Sequence, residues 1–328
     1  MQVRVLLEVE IRELIGPAAA YAAVRDAFVA LARGQATLPG VIGFDVPAHQ
    51  GEVHVKGAYL HGWPFYSIKE AAGFYGNAEK GMPVGSGLVL VFDATTGFLA
   101  AVLFDNGYLT ELRTGAAGAL AADLLARRRV GKAAVIGAGS QARFQVEALA
   151  LVRRPESVAV FSRTPARSAA YAREMERRIG IPVTVAPSAQ TAVEGSDVVI
   201  TATPSRAPIV RAEWLAPGAH VTAVGADGPE KRELEPAVLV RAGKVVVDRL
   251  DQCLRLGELH HAVEAGVLAA GDVWAELGEL AAGIKPGRQS GDEITVADLT
   301  GVGIQDAAVA NVVVAEAIRR NVGLMLEI

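Results

Sequence analysis

The most constraining stretch of this sequence is Val135-Ile136-Gly137-Ala138-Gly139-Ser140-Gln141-Ala142, because of what stands on either side of it. A short apolar run, 133–136, precedes it, a helical segment follows, and a second apolar run, 157–161, comes next. A glycine turn in that setting binds the phosphates of a dinucleotide. Gly137 permits the tight bend, and Gly139 lets backbone approach a pyrophosphate at the helix N-terminus. Ala142 stands where the third glycine of the pattern packs helix against strand. A bare Gly-x-Gly is weak; strand, turn, helix and second strand together are not. A merely structural turn is the competing reading.

Around this turn the chain alternates strictly. A long helix rich in alanine and leucine is expected over 115–128. Strands are expected at 133–136, 157–161, 183–185, 198–202, 220–224 and 245–247, with helices between. Near-continuous Val/Ile runs of this length are what a parallel sheet covered on both faces requires. The fold class is therefore α/β, with a Rossmann-type doubly wound nucleotide-binding domain over 116–301. The first 115 residues read differently, as an α+β domain. A helix over 17–33 opens on Pro17 and stops before Gly34. Strand-like runs at 52–60, 65–74 and 87–105 follow, the last folding back at Ala94-Thr95-Thr96-Gly97. Strands without intervening helices suggest an antiparallel sheet, and alternation puts Glu52, His54 and Lys56 on one face. Residues 304–320 read as another amphipathic helix.

Composition removes several classes of function. A net charge of −4 leaves no electrostatic footprint for nucleic acid or an anionic membrane. Charges interrupt each apolar stretch before it reaches spanning or signal-peptide length, so a cytoplasmic protein is expected. The lone cysteine, Cys253, excludes an internal disulfide and reads as a small buried hydrophobe rather than a catalytic thiol.

The second strand of the nucleotide domain runs out at Phe161-Ser162-Arg163-Thr164, with Arg167 one turn further on. An NAD site usually carries a carboxylate here for the ribose hydroxyl. Two guanidinium groups and no carboxylate suit a 2′-phosphate, so NADP is expected over NAD; alternatively these arginines only solvate a helix start. The candidate cofactor set comprises Gly137, Ala138, Gly139, Ser140, Gln141, Ser162, Arg163, Thr164 and Arg167, with Thr114, Thr203, Val224 and Thr300.

Several segments together resemble the ornithine cyclodeaminase/mu-crystallin family. They are Leu109-Thr110-Glu111-Leu112-Arg113-Thr114-Gly115-Ala116-Ala117, the Gly137 turn, Val224-Gly225-Ala226-Asp227-Gly228-Pro229-Glu230-Lys231, Gly257-Glu258-Leu259-His260-His261, and Ile294-Thr295-Val296-Ala297-Asp298-Leu299-Thr300-Gly301. The likeness covers almost the whole chain in order, and is closest to members associated with ectoine breakdown. It implies a first domain that binds substrate and forms a homodimer, joined by the C-terminal segment 302–328. Members include ornithine and lysine cyclodeaminases, alanine dehydrogenases, cyclic ketimine reductases and an iminosuccinate reductase, all acting at a carbon that bears nitrogen beside a carboxylate.

By the same resemblance, Lys69 and Arg113 match positions that hold the substrate carboxylate, Glu52 one that orients the amine or a water, and Asp227 the acid–base aspartate. Lys231 matches as well. A carboxylate in a closed site does need a fixed cation, preferably a bidentate one. The bland readings are surface charge for Arg113 near its helix start and a turn cap for Asp227. One departure stands out: Gly43 occupies the place of a family arginine, so that Lys56 or His54 would substitute from the next strand, or the acid group is held differently. His54, His260 and His261 lack metal-ligand spacing, since adjacent histidines diverge on a helix, and no metal is expected. The resulting expectation is an NADP-dependent reductase or dehydrogenase at the C=N/C–N bond of a small amino or imino acid. A cyclodeaminase that recycles its cofactor and a non-enzymatic binder are the alternatives.

Overall fold

The computed structural model describes residues 2–328. In chain order it runs β1 (Gln2–Leu7), α1 (Glu8–Leu14), α2 (Pro17–Ala32), β2 (Ala36–Thr37), β3 (Ile42–Val46), β4 (Gly51–Leu60), β5 (Phe65–Phe74), β6 (Gly85–Asp93), β7 (Leu99–Phe104) and α3 (Tyr108–Leu125). There follow β8 (Lys132–Ile136), α4 (Ser140–Val152), β9 (Ser157–Phe161), α5 (Pro165–Ile179), β10 (Val183–Val185), α6 (Ala189–Val193), β11 (Val198–Thr201), β12 (His220–Ala223), α7 (Pro236–Arg241) and β13 (Lys244–Val247). The chain ends with α8 (Leu250–Cys253), α9 (Gly257–Glu264), β14 (Ala275–Glu276), α10 (Leu277–Ala281), β15 (Thr295–Asp298), α11 (Gly303–Arg320) and β16 (Leu324–Glu327). It divides into two compact units, Met1–Arg113 with Val302–Ile328, and Thr114–Gly301. Among the described residues no single helix is long and apolar enough to cross a membrane.

The first unit is built on a sheet of order β16-β1-β7-β6-β5-β4-β2, with β3 also on β4. All its pairings are antiparallel except β1 with β7. The β6–β7 turn forms because Asp93 Oδ1 accepts the N–H groups of Thr95 (2.9 Å) and Thr96 (2.8 Å), while Gly97 takes a left-handed φ of 75°. Helix α11 packs on β4, β5 and α2. It is not amphipathic at its start: every residue from Gly303 to Asn311 is buried. Gly303 lies against the Gly57 carbonyl of β4, where any side chain would collide with backbone.

The second unit is an eight-stranded sheet of order β10-β9-β8-β11-β12-β15-β13-β14, parallel throughout. Successive residues of β8 feed two separate cores. Ala133 and Val135 join Val146, Leu149, Tyr171 and Met175 on one side; Ala134 and Ile136 join Val193, Val199 and Val221 on the other. A sheet buried on both faces explains the unbroken apolar runs. The strand order turns back between β8 and β11, the crevice where doubly wound sheets bind ligands at their carboxyl ends.

One expected boundary needs correction, and two strands went unread in the sequence. Helix α3 begins at Tyr108, seven residues before the expected start, because Asp105 Oδ2 accepts Leu109 N–H (2.8 Å) and so caps it. Arg113 is therefore inside the helix and 4% exposed, not surface charge at its start. Residues 295–298, read only as part of a motif, form a strand between β12 and β13. The other is the N-terminal strand β1, whose Gln2-Val3-Arg4-Val5 alternates over only four residues.

Candidate active site

Gly137 follows β8 with φ of 117°, and its N–H donates to Phe161 O at the end of β9 (2.8 Å). A Cβ at this position would lie 2.5 Å from Ala202 O, just beyond β11. Only glycine fits, at the turning point of the strand order. Gly139 precedes α4, gives it no side-chain cap, and has open space where a Cβ would stand. That combination of helix start and clear backbone fits the phosphates of a dinucleotide. Arg143, which the sequence reading missed, fixes the turn from behind. Its Nη1 donates to the carbonyls of Ala138 (3.0 Å) and Gly139 (2.9 Å), and its other nitrogens are held by Glu174 of α5.

Beyond β9, Ser162 Oγ lies 2.8 Å from Ser168 Oγ, and no carboxylate occupies 162–164. Arg163 and Arg167 are exposed. Thr114 and Gln141 flank a close helix crossing, where Gln145 of α4 donates to Thr114 O (2.9 Å). Gly115 makes that crossing possible, since a Cβ there would press on Phe144 O at 2.8 Å.

The loops after the remaining strands are tied by buried carboxylates. Glu233 Oε1 accepts Thr203 N–H (2.6 Å) and the Thr203 hydroxyl (2.7 Å), and its Oε2 accepts Gly225 N–H (3.0 Å). Glu258 accepts the N–H groups of Glu233 (2.7 Å) and Leu234 (3.0 Å). Asp298 accepts Leu259 N–H (2.9 Å), and Asp248 accepts the Thr300 hydroxyl (3.1 Å) and Gly301 N–H (2.6 Å). Burial pushes Glu233 and Asp298 up to about 7 and raises Glu258 as well. A Cβ on Gly257 (φ 80°) would strike the Asp298 carboxylate, which is why glycine precedes Glu258. The hydroxyls of Thr203 and Thr300 thus serve this framework, and Val224 is buried at the end of β12. Cys253 is fully buried, and burial pushes its thiol up, away from the thiolate.

Asp227 follows β12, the carboxyl end of a central strand. Its Oδ1 accepts from Lys231 Nζ at 2.7 Å; Lys231 is buried, Asp227 partly exposed. The Lys231 carbonyl is in turn held by His261 Nε2 (2.9 Å).

In the first unit, β4 and β5 set Lys56 directly opposite Lys69, and Gly43 of β3 directly opposite His54. A Cβ at Gly43 would come 3.4 Å from His54 Nδ1, so of the two substitutes named for the family arginine His54 is the immediate neighbour. Glu52 accepts a hydrogen bond from the Tyr75 hydroxyl (2.8 Å). Lys69 and Arg113, 3% and 4% exposed, meet on one atom. Asp306 Oδ1 lies 3.0 Å from Arg113 Nε and 3.8 Å from Lys69 Nζ. Arg113 Nη1 also donates to Gln305 Oε1 (2.6 Å). Asp306 Oδ2 and Gln305 Nε2 are buried with no hydrogen-bond partner. Neither Asp306 nor Gln305 was singled out from sequence; both lie 192 or more residues from Arg113, in a helix whose surroundings only folding reveals.

His260 and His261 do not diverge as expected. Their rings stand 5.0 Å apart and both face Glu264.

The model of the ornithine cyclodeaminase/mu-crystallin family matches residues 1–321. An alanine dehydrogenase of Archaeoglobus fulgidus is 40% identical over 323 residues, 98% of each chain. Among solved structures, the Δ1-pyrroline-2-carboxylate reductase of Thermococcus litoralis, in complex with NADH and L-proline, superposes with a TM-score of 0.94 at 32% identity, covering 98% of this chain and 99% of that one. An archaeal alanine dehydrogenase dimer with bound NAD gives 0.93 at 39% identity, covering 100% and 99%.

Removing the shared counter-ion should be costly, because two buried cations lose their contact carboxylate. Asp306→Asn is expected to lower unfolding stability by about 3–5 kcal/mol, the range for breaking a buried pair from one side. Denaturant unfolding measures it, and a loss below about 1 kcal/mol would show that the two cations are compensated elsewhere.

Proposed function

The chain belongs to the ornithine cyclodeaminase/mu-crystallin family, and from that premise we propose an oxidoreductase acting at the C=N/C–N bond of a small amino or imino acid. The observation that carries this reading is the group around Asp306. Lys69 and Arg113 share one of its oxygens, while its other oxygen and Gln305 Nε2 stay unsatisfied in a buried setting. Unmet buried polar atoms are costly. A ligand bearing both a carboxylate and a protonated nitrogen answers that demand: the N–H donates to Asp306 Oδ2, and the carboxylate accepts from Gln305 Nε2 beside the two cations.

The first unit is then the substrate-binding unit, and the dimer of the archaeal alanine dehydrogenase supports a homodimer here. The second unit binds a nicotinamide dinucleotide through the Gly137–Gly139 turn and the start of α4. When bound, that cofactor supplies or accepts the hydride at the carbon bearing nitrogen. Asp227 exchanges the proton of the nitrogen, taking it from the amine in oxidation and returning it in reduction. Lys231 holds Asp227 Oδ1 and so orients the carboxylate. Glu52, set in β4 and hydrogen-bonded by Tyr75, orients the substrate nitrogen or a water, and Lys56 and His54 supply positive charge or hydrogen bonds where Gly43 offers none. NADP is preferred, because Ser162, Arg163 and Arg167 stand where a carboxylate would select NAD.

The reaction itself is tested by offering cyclic and acyclic imino acids with NADPH. One NADPH should be oxidised for each imino acid reduced; sustained ammonia and proline release from ornithine, with no net change in nicotinamide absorbance, would make the chain a cyclodeaminase instead. For the cofactor, NADPH should bind more tightly than NADH, and Arg163→Ala should narrow the gap by roughly 1–3 kcal/mol, as for a charge-assisted hydrogen bond; equal affinities in the unaltered protein would remove the 2′-phosphate pocket. Asp227→Asn should reduce turnover on the order of 100-fold while cofactor affinity holds. Near-normal turnover in that variant would return Asp227 to a turn-forming role.

A further inference from the structure

Helix α9 carries a second cluster of ligating side chains that the proposed reaction does not use. His260 and His261 are partly buried on this helix, and Glu264 lies one turn on. Each imidazole is held on its far side by a backbone carbonyl: His260 Nδ1 lies 3.2 Å from Leu254 O, and His261 Nε2 lies 2.9 Å from Lys231 O. A carbonyl only accepts, so those nitrogens carry the protons. In the neutral rings the lone pairs are then left on His260 Nε2 and His261 Nδ1. Both face the same carboxylate oxygen, at 3.9 Å and 4.0 Å from Glu264 Oε2, and the three donor atoms all lie within 4.8 Å of one another.

From this geometry we infer that His260, His261 and Glu264 form a site for a divalent transition-metal ion of the zinc class. Two imidazole nitrogens with one carboxylate suit such ions, whereas magnesium and calcium seek all-oxygen shells. The carbonyl behind each ring is the outer support that fixes tautomer and orientation in metal sites. Zinc holds nitrogen at about 2.0–2.1 Å and carboxylate oxygen at about 2.0–2.2 Å, which spaces tetrahedral donors about 3.3 Å apart. Closing the two histidine–carboxylate separations asks for roughly 0.6 Å of movement, which the exposed Glu264 side chain can supply by rotamer adjustment, and the two ring nitrogens, within 4.8 Å of each other, must draw together by ring rotation. Solvent completes the shell on the open side. Because His261 also holds the Lys231 carbonyl, the bound ion clamps α9 to the turn that carries Asp227 and Lys231.

The test uses tag-free, chelator-treated full-length protein. Cobalt(II) titration followed by visible absorption should show one ion per chain, and zinc should raise the thermal midpoint, as any ligand of the native state does. His260→Ala and Glu264→Gln should each weaken binding about 10-fold or more, at least the cost of losing an outer-sphere support, and should shrink the zinc-dependent midpoint shift accordingly. Glu264 is exposed, so its variant folds like the parent and its metal-free midpoint verifies this. Cobalt binding of equal strength in the parent and both variants, or none in the parent, overturns the site. Neither outcome bears on imino-acid turnover, which is measured separately.

Discussion

A parallel sheet covered on both faces leaves the peptide groups just beyond its strand ends with neither a ladder partner nor ready access to water. In the second unit buried carboxylates meet that demand. Glu233 ties the segment after β11 to the segment after β12, Glu258 takes the N–H groups of residues 233 and 234, and Asp298 and Asp248 secure the chain around α9 and Gly301. The arrangement costs desolvation, visible in the raised Glu233, Glu258 and Asp298. In return, the segments at the carboxyl ends of the strands, including those on either side of Asp227, are tied by hydrogen bonds to fixed acids. Two acids within the resemblance segments, Glu258 and Asp298, therefore serve as framework.

The first unit solves a different problem. Lys69 and Arg113 are drawn from a strand and a helix, and neither can be buried without negative charge. Asp306 supplies it from α11, which lies close because Gly303 passes over the Gly57 carbonyl without a side chain. A single oxygen shared by two cations, with the second oxygen unsatisfied, keeps the cations in place without meeting every polar demand of the group.

Much of the fold was legible because its signals are local. Apolar runs broken by glycine turns marked the strands of the parallel sheet, and Asp93 to Gly97 marked the hairpin. The start of α3 was misplaced because Gly115 looked like a boundary. It is a crossing point against α4, and the true start is set by a cap at Asp105. Strand β15 was hidden by its position in the sheet, which reaches past β13 in chain order. The histidine pair was misjudged because ring orientation depends on which carbonyls, Leu254 and Lys231, come to stand behind it.

By itself the sequence determined the class of each half, the tight glycine turn between β8 and α4, and the face shared by Glu52, His54 and Lys56, since periodicity and glycine geometry act over a few residues. Tertiary structure alone decided which acids are framework and which are exposed, and that Arg113 and Lys69 are shared by Asp306 at the far end of the chain. The reason is physical: a carboxylate's role follows from the N–H groups and cations around it, and those neighbours are set by packing between residues up to 193 positions apart.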